Sequence, residues 1–185
     1  MRLFFALDLP PATARAVTLW RERNPIAAGR PVPAANLHLT LAFLGELEER
    51  QLEPLCEATD AQLASRTPGA ARLALDCVGY WPRPGVFWLG STQAPPPALQ
   101  ALARGLQQLG GRFGSRVPKH SWTPHITLYR GLELPPAAPL QPPALQLEQE
   151  RLTLFRTVAG RQGVRYEALC EWPLAPRRAP GPGAG

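Results

Sequence analysis

The chain has 185 residues, enough for one domain or two small lobes sharing a cleft. An apolar fraction of 45% excludes general disorder, and a formal charge of +6, nearly all of it from arginine since Lys119 is the sole lysine, suits an anionic partner such as nucleic acid. Three isolated cysteines, Cys56, Cys77 and Cys170, match neither a disulfide framework nor a metal-ligand spacing.

Arg2 to Leu9 reads as a buried strand that stops at Pro10-Pro11. Pro11 suits the first turn of a helix, whose stripe is Ala12, Ala16, Leu19, Trp20 and Arg23. A loop of breakers, Gly29 to Pro33, leads to a strand from about Leu37 to Leu44, ended by Gly45. Leu52, Leu55, Cys56, Thr59 and Leu63 mark a second helix, with Pro54 near its start. Arg72 to Val78 reads as a strand. Trp81 to Gly85 reads as a turn, and Val86 to Leu89 as the returning strand of a hairpin.

Pro95-Pro96-Pro97 primes a third helix with a stripe of Leu99, Leu102, Leu106 and Leu109, ended by Gly110-Gly111. A strand follows from His125 to Arg130. Leu134 to Pro143 reads as an extended connection, Leu145 to Phe155 as one long strand, and Gly160 to Gly163 as a hairpin turn to a partner strand from Val164 to Leu169. Residues 1–175 are expected to form one bilobal domain, and 176–185 a flexible tail.

One pattern is written twice. Asn36-Leu37-His38-Leu39-Thr40-Leu41 and Pro124-His125-Ile126-Thr127-Leu128 both read His-apolar-Thr-Leu. On a strand, His38 and Thr40 share one face while Leu39 and Leu41 take the other, and the second copy repeats this. If the two strands face one another, two imidazoles and two hydroxyls converge. One imidazole can act as base and the other as acid, with the threonines donating to phosphate oxygens. That set meets the needs of phosphodiester chemistry without a metal. A zinc site from the two histidines lacks a third ligand at any recognisable spacing.

The doubled motif, with Phe43-Leu44-Gly45 after the first copy, resembles the 2H phosphoesterase superfamily. The opening Arg2-Leu3-Phe4-Phe5-Ala6-Leu7-Asp8-Leu9-Pro10 resembles its bacterial RNA 2′,3′-cyclic phosphodiesterase branch, also called 2′-5′ RNA ligase. The likeness runs to about Trp172.

The resemblance implies an α+β, bilobal fold with two antiparallel sheets across a central cleft and helices outside. It implies hydrolysis of an RNA-terminal 2′,3′-cyclic phosphate to a 2′-phosphomonoester, with weak reverse ligation. His38 and His125 become the catalytic pair, with His125 as base and His38 as acid, and Thr40, Thr127 and Arg130 bind phosphate. Phe5, Trp81 and Trp88 are candidates to stack on a base, as is Phe87. His120 falls outside both motifs and reads as a loop histidine. Trp122 stands where the family often has Phe and reads as an inconsequential aromatic swap.

No metal or cofactor is expected, and the partner is RNA or a nucleotide with a cyclic phosphate end. Nothing resembles a secretory signal and no apolar run is long enough to span a membrane, so a cytoplasmic location is expected; a monomer is also expected. Two other readings remain: a ligase acting on tRNA halves, which needs the same residues, and a non-catalytic module that binds RNA ends, against which the intact His and Thr pairs argue.

Overall fold

The computed structural model describes residues 1–26, 28–65, 71–160 and 163–174. The described residues form an α+β fold of ten strands and three α-helices, with two short 3₁₀ turns. In chain order the elements are β1 Arg2–Asp8, α1 Pro11–Arg23, β2 Arg30–Pro31, β3 His38–Glu46, α2 Leu52–Ser65, β4 Ala71–Leu75, β5 Cys77–Trp81, β6 Val86–Gly90, α3 Pro97–Arg112, β7 His125–Arg130, β8 Leu145–Gln149, β9 Arg151–Gly160 and β10 Gly163–Pro173.

The larger sheet is antiparallel with order β10-β9-β1-β3-β7-β6-β5, and β2 lies beside β7. Its two halves, one around β3 and one around β7, meet at a single residue pair, Leu39 with Ile126. The two His strands are therefore direct neighbours, joined where their motifs begin. β4 and β8 form the second sheet.

The helices start where the sequence places them. α1 and α3 carry Pro11 and Pro97 in their first turns, where no backbone donor is needed. A capping box between Glu48 and Gln51 opens the turn that leads into α2. α3 presses its buried face, including Leu102, Leu106 and Leu109, onto β3. It runs through the pair expected to stop it, because Gly110 allows a close approach. A Cβ there would lie 2.5 Å from Leu44 Cδ2.

Several boundaries differ from the sequence reading. In α1 the fully buried residue is Val17, while Leu19 is 42% exposed, because the helix meets the core along a narrower line than its apolar stripe suggests. Part of the breaker loop pairs with β7 as β2. β3 passes through Gly45, which takes a positive φ of 75° inside the strand.

The strand expected over Arg72 to Val78 divides at Asp76 between two sheets. The Asp76 carboxylate accepts hydrogen bonds from the Thr92 backbone N–H (2.7 Å) and hydroxyl (2.8 Å) at that corner. The long strand expected from Leu145 to Phe155 divides at Glu150 in the same way. There the buried Gln149 side chain accepts from the backbone N–H groups of Glu150 and Arg151, and donates to the Asp8 carbonyl. Trp81 belongs to β5, so the turn is Pro82 to Gly85. β10 outruns its expected span by several residues. Residues 161–162 of the expected hairpin turn and the expected tail at 176–185 lie outside the described residues.

The core explains a simple stability test. Leu106→Ala, at a fully buried position of α3, should destabilise the protein by about 2–5 kcal/mol through lost burial and the cavity left behind. Leu140→Ala, at a site 92% exposed, should stay within about 0.5 kcal/mol of wild type. Chemical denaturation of both variants checks the contrast.

Candidate active site

Both His strands carry the same irregularity at the same motif position. Against β1, Ala6 pairs with Thr40 and Phe5 with Ala42, so Leu41 is an extra residue. Against β6, Trp88 pairs with Thr127 and Phe87 with Tyr129, so Leu128 is an extra residue. Each is a β-bulge at the leucine of His-apolar-Thr-Leu, and each leucine is buried in the core.

A bulge shifts the alternation of faces by one. Without it, the fifth residue after each histidine would point away from the histidine's face. With it, that residue returns to the same face. In β3 this residue is Phe43, and in β7 it is Arg130. The cleft face of one half thus carries His38, Thr40 and Phe43, and that of the other carries His125, Thr127 and Arg130.

The two imidazoles are held alike. His38 Nδ1 lies 2.7 Å from the carbonyl of Asn36, and His125 Nδ1 lies 2.9 Å from the carbonyl of Thr123. A carbonyl only accepts, so Nδ1 carries the proton in both rings and donates it. In the neutral ring, Nε2 is then left with a lone pair free for proton transfer. Each ring also rests between two aromatics. His38 lies 5.0 Å from both Phe4 and Tyr166, and His125 lies 4.5 Å from Trp81 and 6.5 Å from Trp88. Trp88 lies flat over Gly79 and Gly90, where any Cβ would collide with its ring.

This packing sets the charge state. Burial holds His38 down at about 4, opposed by the Asn36 carbonyl and reinforced by the charges of Arg130 and His125. Burial also lowers His125, opposed by the Thr123 carbonyl and reinforced by Arg130. Both imidazoles are therefore neutral in the empty cleft near pH 7. Arg130 acts on both rings although its side chain is exposed at the end of β7.

Thr40 and Thr127 are buried, 6% and 8% exposed. Among the described residues neither hydroxyl is engaged by another protein group, so both remain able to donate to a ligand. The Asp8 carboxylate, opposite His38 in the ladder, is taken up by Arg151 (2.7 Å), Gln149 and Thr153. Among the described residues no group of three or more His, Cys, Asp or Glu is arranged to hold a metal ion.

The stacking candidates sort by face. Phe5 is fully buried behind β1, packed on Trp172, because alternation gives the cleft to Phe4 instead. Phe87 is likewise buried, against Tyr129. Neither can meet a base. Trp81 lines a cleft of about 400 Å³ together with Thr40, Phe43, Gln107, Trp122 and His125. Trp88 is largely committed to supporting His125.

The residue the sequence reading missed is Phe43, 61% exposed on the cleft face. The matching offset of five residues from each histidine was the available signal. Strict alternation concealed it. Trp122 is more than an aromatic swap: its indole N–H donates to the Thr40 carbonyl at 2.9 Å, a bond phenylalanine cannot make. It ties the approach to one motif onto the strand of the other. His120 lies in the loop before β7, as expected.

The chain is similar to known phosphoesterases in sequence and in fold. A family profile described as "LigT like Phosphoesterase" matches residues 7–88. An RNA 2′,3′-cyclic phosphodiesterase of Escherichia coli is 39% identical, covering 94% of this chain and 96% of that protein. One from Thermus thermophilus is 32% identical, covering 99% and 97%. The crystal structure of E. coli LigT complexed with 3′-AMP superimposes with a TM-score of 0.80 at 38% identity, covering 94% of this chain and 97% of that one.

The burial of His38 gives a direct measurement. In an NMR titration of the free protein, the His38 ring should change protonation near pH 4, and His125 below the usual histidine range. Inorganic phosphate should move both midpoints upward, since an anion favours the imidazolium. A His38 midpoint at or above about 6.5 would contradict the burial account.

Proposed function

From the premise that the chain belongs to the LigT-like phosphoesterase family, we propose that it is an RNA 2′,3′-cyclic phosphodiesterase releasing a 2′-phosphomonoester. One observation carries the reading: two histidines with identical backbone-fixed tautomers stand on one face, each beside a buried threonine hydroxyl with no partner among the described residues. Binding alone would not need both imidazoles in that form.

The reaction follows from the proton positions. Water attacks phosphorus as His125 Nε2 takes its proton. The bond from phosphorus to O3′ breaks, and His38 returns a proton to O3′ from Nε2. In-line displacement places the attacking and leaving oxygens on opposite sides of phosphorus, which suits histidines contributed by two different strands. Thr40 and Thr127 donate to the non-bridging oxygens, where negative charge gathers. Arg130 adds a positive charge on the same face. Phe43 offers an exposed ring for the terminal base.

His38 must hold a proton to act as the acid, yet burial favours its neutral form. The phosphodiester anion supplies the missing compensation: its charge raises the imidazole pKa as it enters the dry site. A second assignment has its own support, since the depression of His38 to about 4 in the empty cleft favours it as the base and His125 as the acid.

The pH profile of turnover separates the two. It should be bell-shaped, because one ring must be neutral and the other charged. With His125 as base, its replacement removes the acidic limb, and replacement of His38 removes the alkaline limb. The swapped assignment gives the reverse.

Three further outcomes test the site. His38→Ala and His125→Ala should each lower kcat by roughly 10²–10⁴. Thr40→Val and Thr127→Val remove one donor each, and should cost on the order of 10²–10³ in kcat with the fold intact. Hydrolysis of a 2′,3′-cyclic nucleotide, followed by phosphorus NMR, should persist in EDTA. Full activity in either histidine variant would sink the two-histidine mechanism.

A further inference from the structure

The segment from Phe113 to Trp122, between α3 and β7, is fastened to the catalytic strand at both ends. Ser115 donates to the carbonyl of Leu44 at 2.6 Å, and Trp122 donates to that of Thr40 at 2.9 Å. Gln51 adds a longer bond to the Phe113 carbonyl. Between these anchors Arg116, Lys119, His120 and Ser121 are all exposed. Arg116 and His120 line the same cleft as Thr40, Phe43 and His125, and that cleft has no carboxylate in its wall among the described residues.

Six other arginines, Arg21, Arg50, Arg72, Arg151, Arg156 and Arg165, are engaged by backbone or carboxylate oxygens. Among the described residues, Arg116 and Lys119 have no such partner. Two cations and an imidazole therefore stand on an anchored segment beside the reacting groups, with nothing among the described residues to neutralise them.

A second groove opens on the other side of β1, between α1 and β10. Its wall carries Asp8, Glu22 and Glu171 against the single cation Arg15. Arg151 pairs with Asp8 and Glu171 there, so that groove keeps only a small negative excess, whereas a phosphodiester chain leaving the site meets unpaired positive charge over the loop. Phe43, Arg116 and His125 line one cleft, so a chain whose end occupies the histidines and Phe43 has Arg116 in the same wall.

We propose that Arg116, Lys119 and His120 form a subsite for the RNA backbone on the 5′ side of the terminal nucleotide, so that the chain favours RNA ends over free cyclic mononucleotides. This rests on the cyclic-phosphate reading of the histidine site. The loop contributes affinity without sequence readout, since it addresses phosphates and not base edges.

The test compares wild type with the double variant Arg116→Ala/Lys119→Ala on two substrates: a 2′,3′-cyclic mononucleotide, and a short oligoribonucleotide ending in a 2′,3′-cyclic phosphate. KM for the oligonucleotide should rise about tenfold, and its slope against log salt should fall by about 1.4, as two lost single-strand phosphate contacts imply. The mononucleotide should keep its kcat and KM. Arg15→Ala, in the acidic groove, should leave both substrates unchanged.

An unchanged oligonucleotide KM, a parallel loss on both substrates, or an equal loss in Arg15→Ala overturns the subsite. If wild type turns over neither substrate, the cyclic-phosphate reading fails by itself. The subsite is then judged by fluorescence anisotropy of a 5′-labelled oligoribonucleotide bearing a 3′-terminal phosphate. Weaker binding in the double variant upholds it, and unchanged binding overturns it.

Discussion

The site depends on burying one leucine in each motif as an extra residue of its strand. A regular strand carries only alternate residues to one face, so His, Thr and the residue five after His could not all look into the cleft. Leu41 and Leu128 break the phase. Each is driven into the core, about 1.5–3 kcal/mol of apolar burial apiece, and this holds the bulge in place. The energy of the core thereby fixes the geometry of the polar face. It also explains why the fourth position of the repeat is leucine both times, though leucine takes no part in the chemistry.

The bulges act together with the single bridge between β3 and β7. Leu39 and Ile126, the residues directly after the two histidines, are the only point among the described residues where the halves of the large sheet pair. The imidazoles therefore start from adjacent registers on neighbouring strands. Beyond that pair the strands diverge, which leaves a wedge open between their cleft faces. Trp122 closes one side of the wedge through its bond to Thr40, so the two motifs are joined by side chain as well as by backbone. The two histidines thus lie beside the one paired point and the Trp122 bond, while Phe43 and Arg130 lie farther along their strands.

Much of this was legible in the sequence. The doubled motif puts both histidines and both threonines on strands, and the proline starts of α1 and α3 follow local rules that tertiary structure had no reason to override. What the sequence concealed has particular physical causes. A bulge is a one-residue phase error that an alternation count cannot see, so Phe43 was missed, whereas Phe5 was named although alternation along β1 gives the cleft face to its neighbour Phe4. The divided strands at Asp76 and Glu150 were hidden for a related reason. Only side-chain acceptors mark where one sheet is left for the other: Asp76 accepts from the Thr92 backbone N–H and Gln149 from that of Glu150. Trp122 was undervalued because aromatic similarity counts ring area and ignores the indole N–H.

The two motif strands share one bulge, though β3 has a further register shift at Leu44, and they differ in chemistry at the fifth residue after each histidine. The same offset from histidine yields an exposed aromatic ring in one half and a guanidinium in the other. An apolar ring favours a base, which has a π face and no net charge; a guanidinium favours the phosphate. A nucleotide end placed across the two strands is thus polarised, base toward β3 and phosphate charge toward β7. Two identical halves would bind it in either sense and could not assign one imidazole to the water and the other to O3′. The aromatic cages serve the same end. Burial among them lowers both imidazole pKa values, and an entering anion would raise them, so an anion favours the charged form of the site.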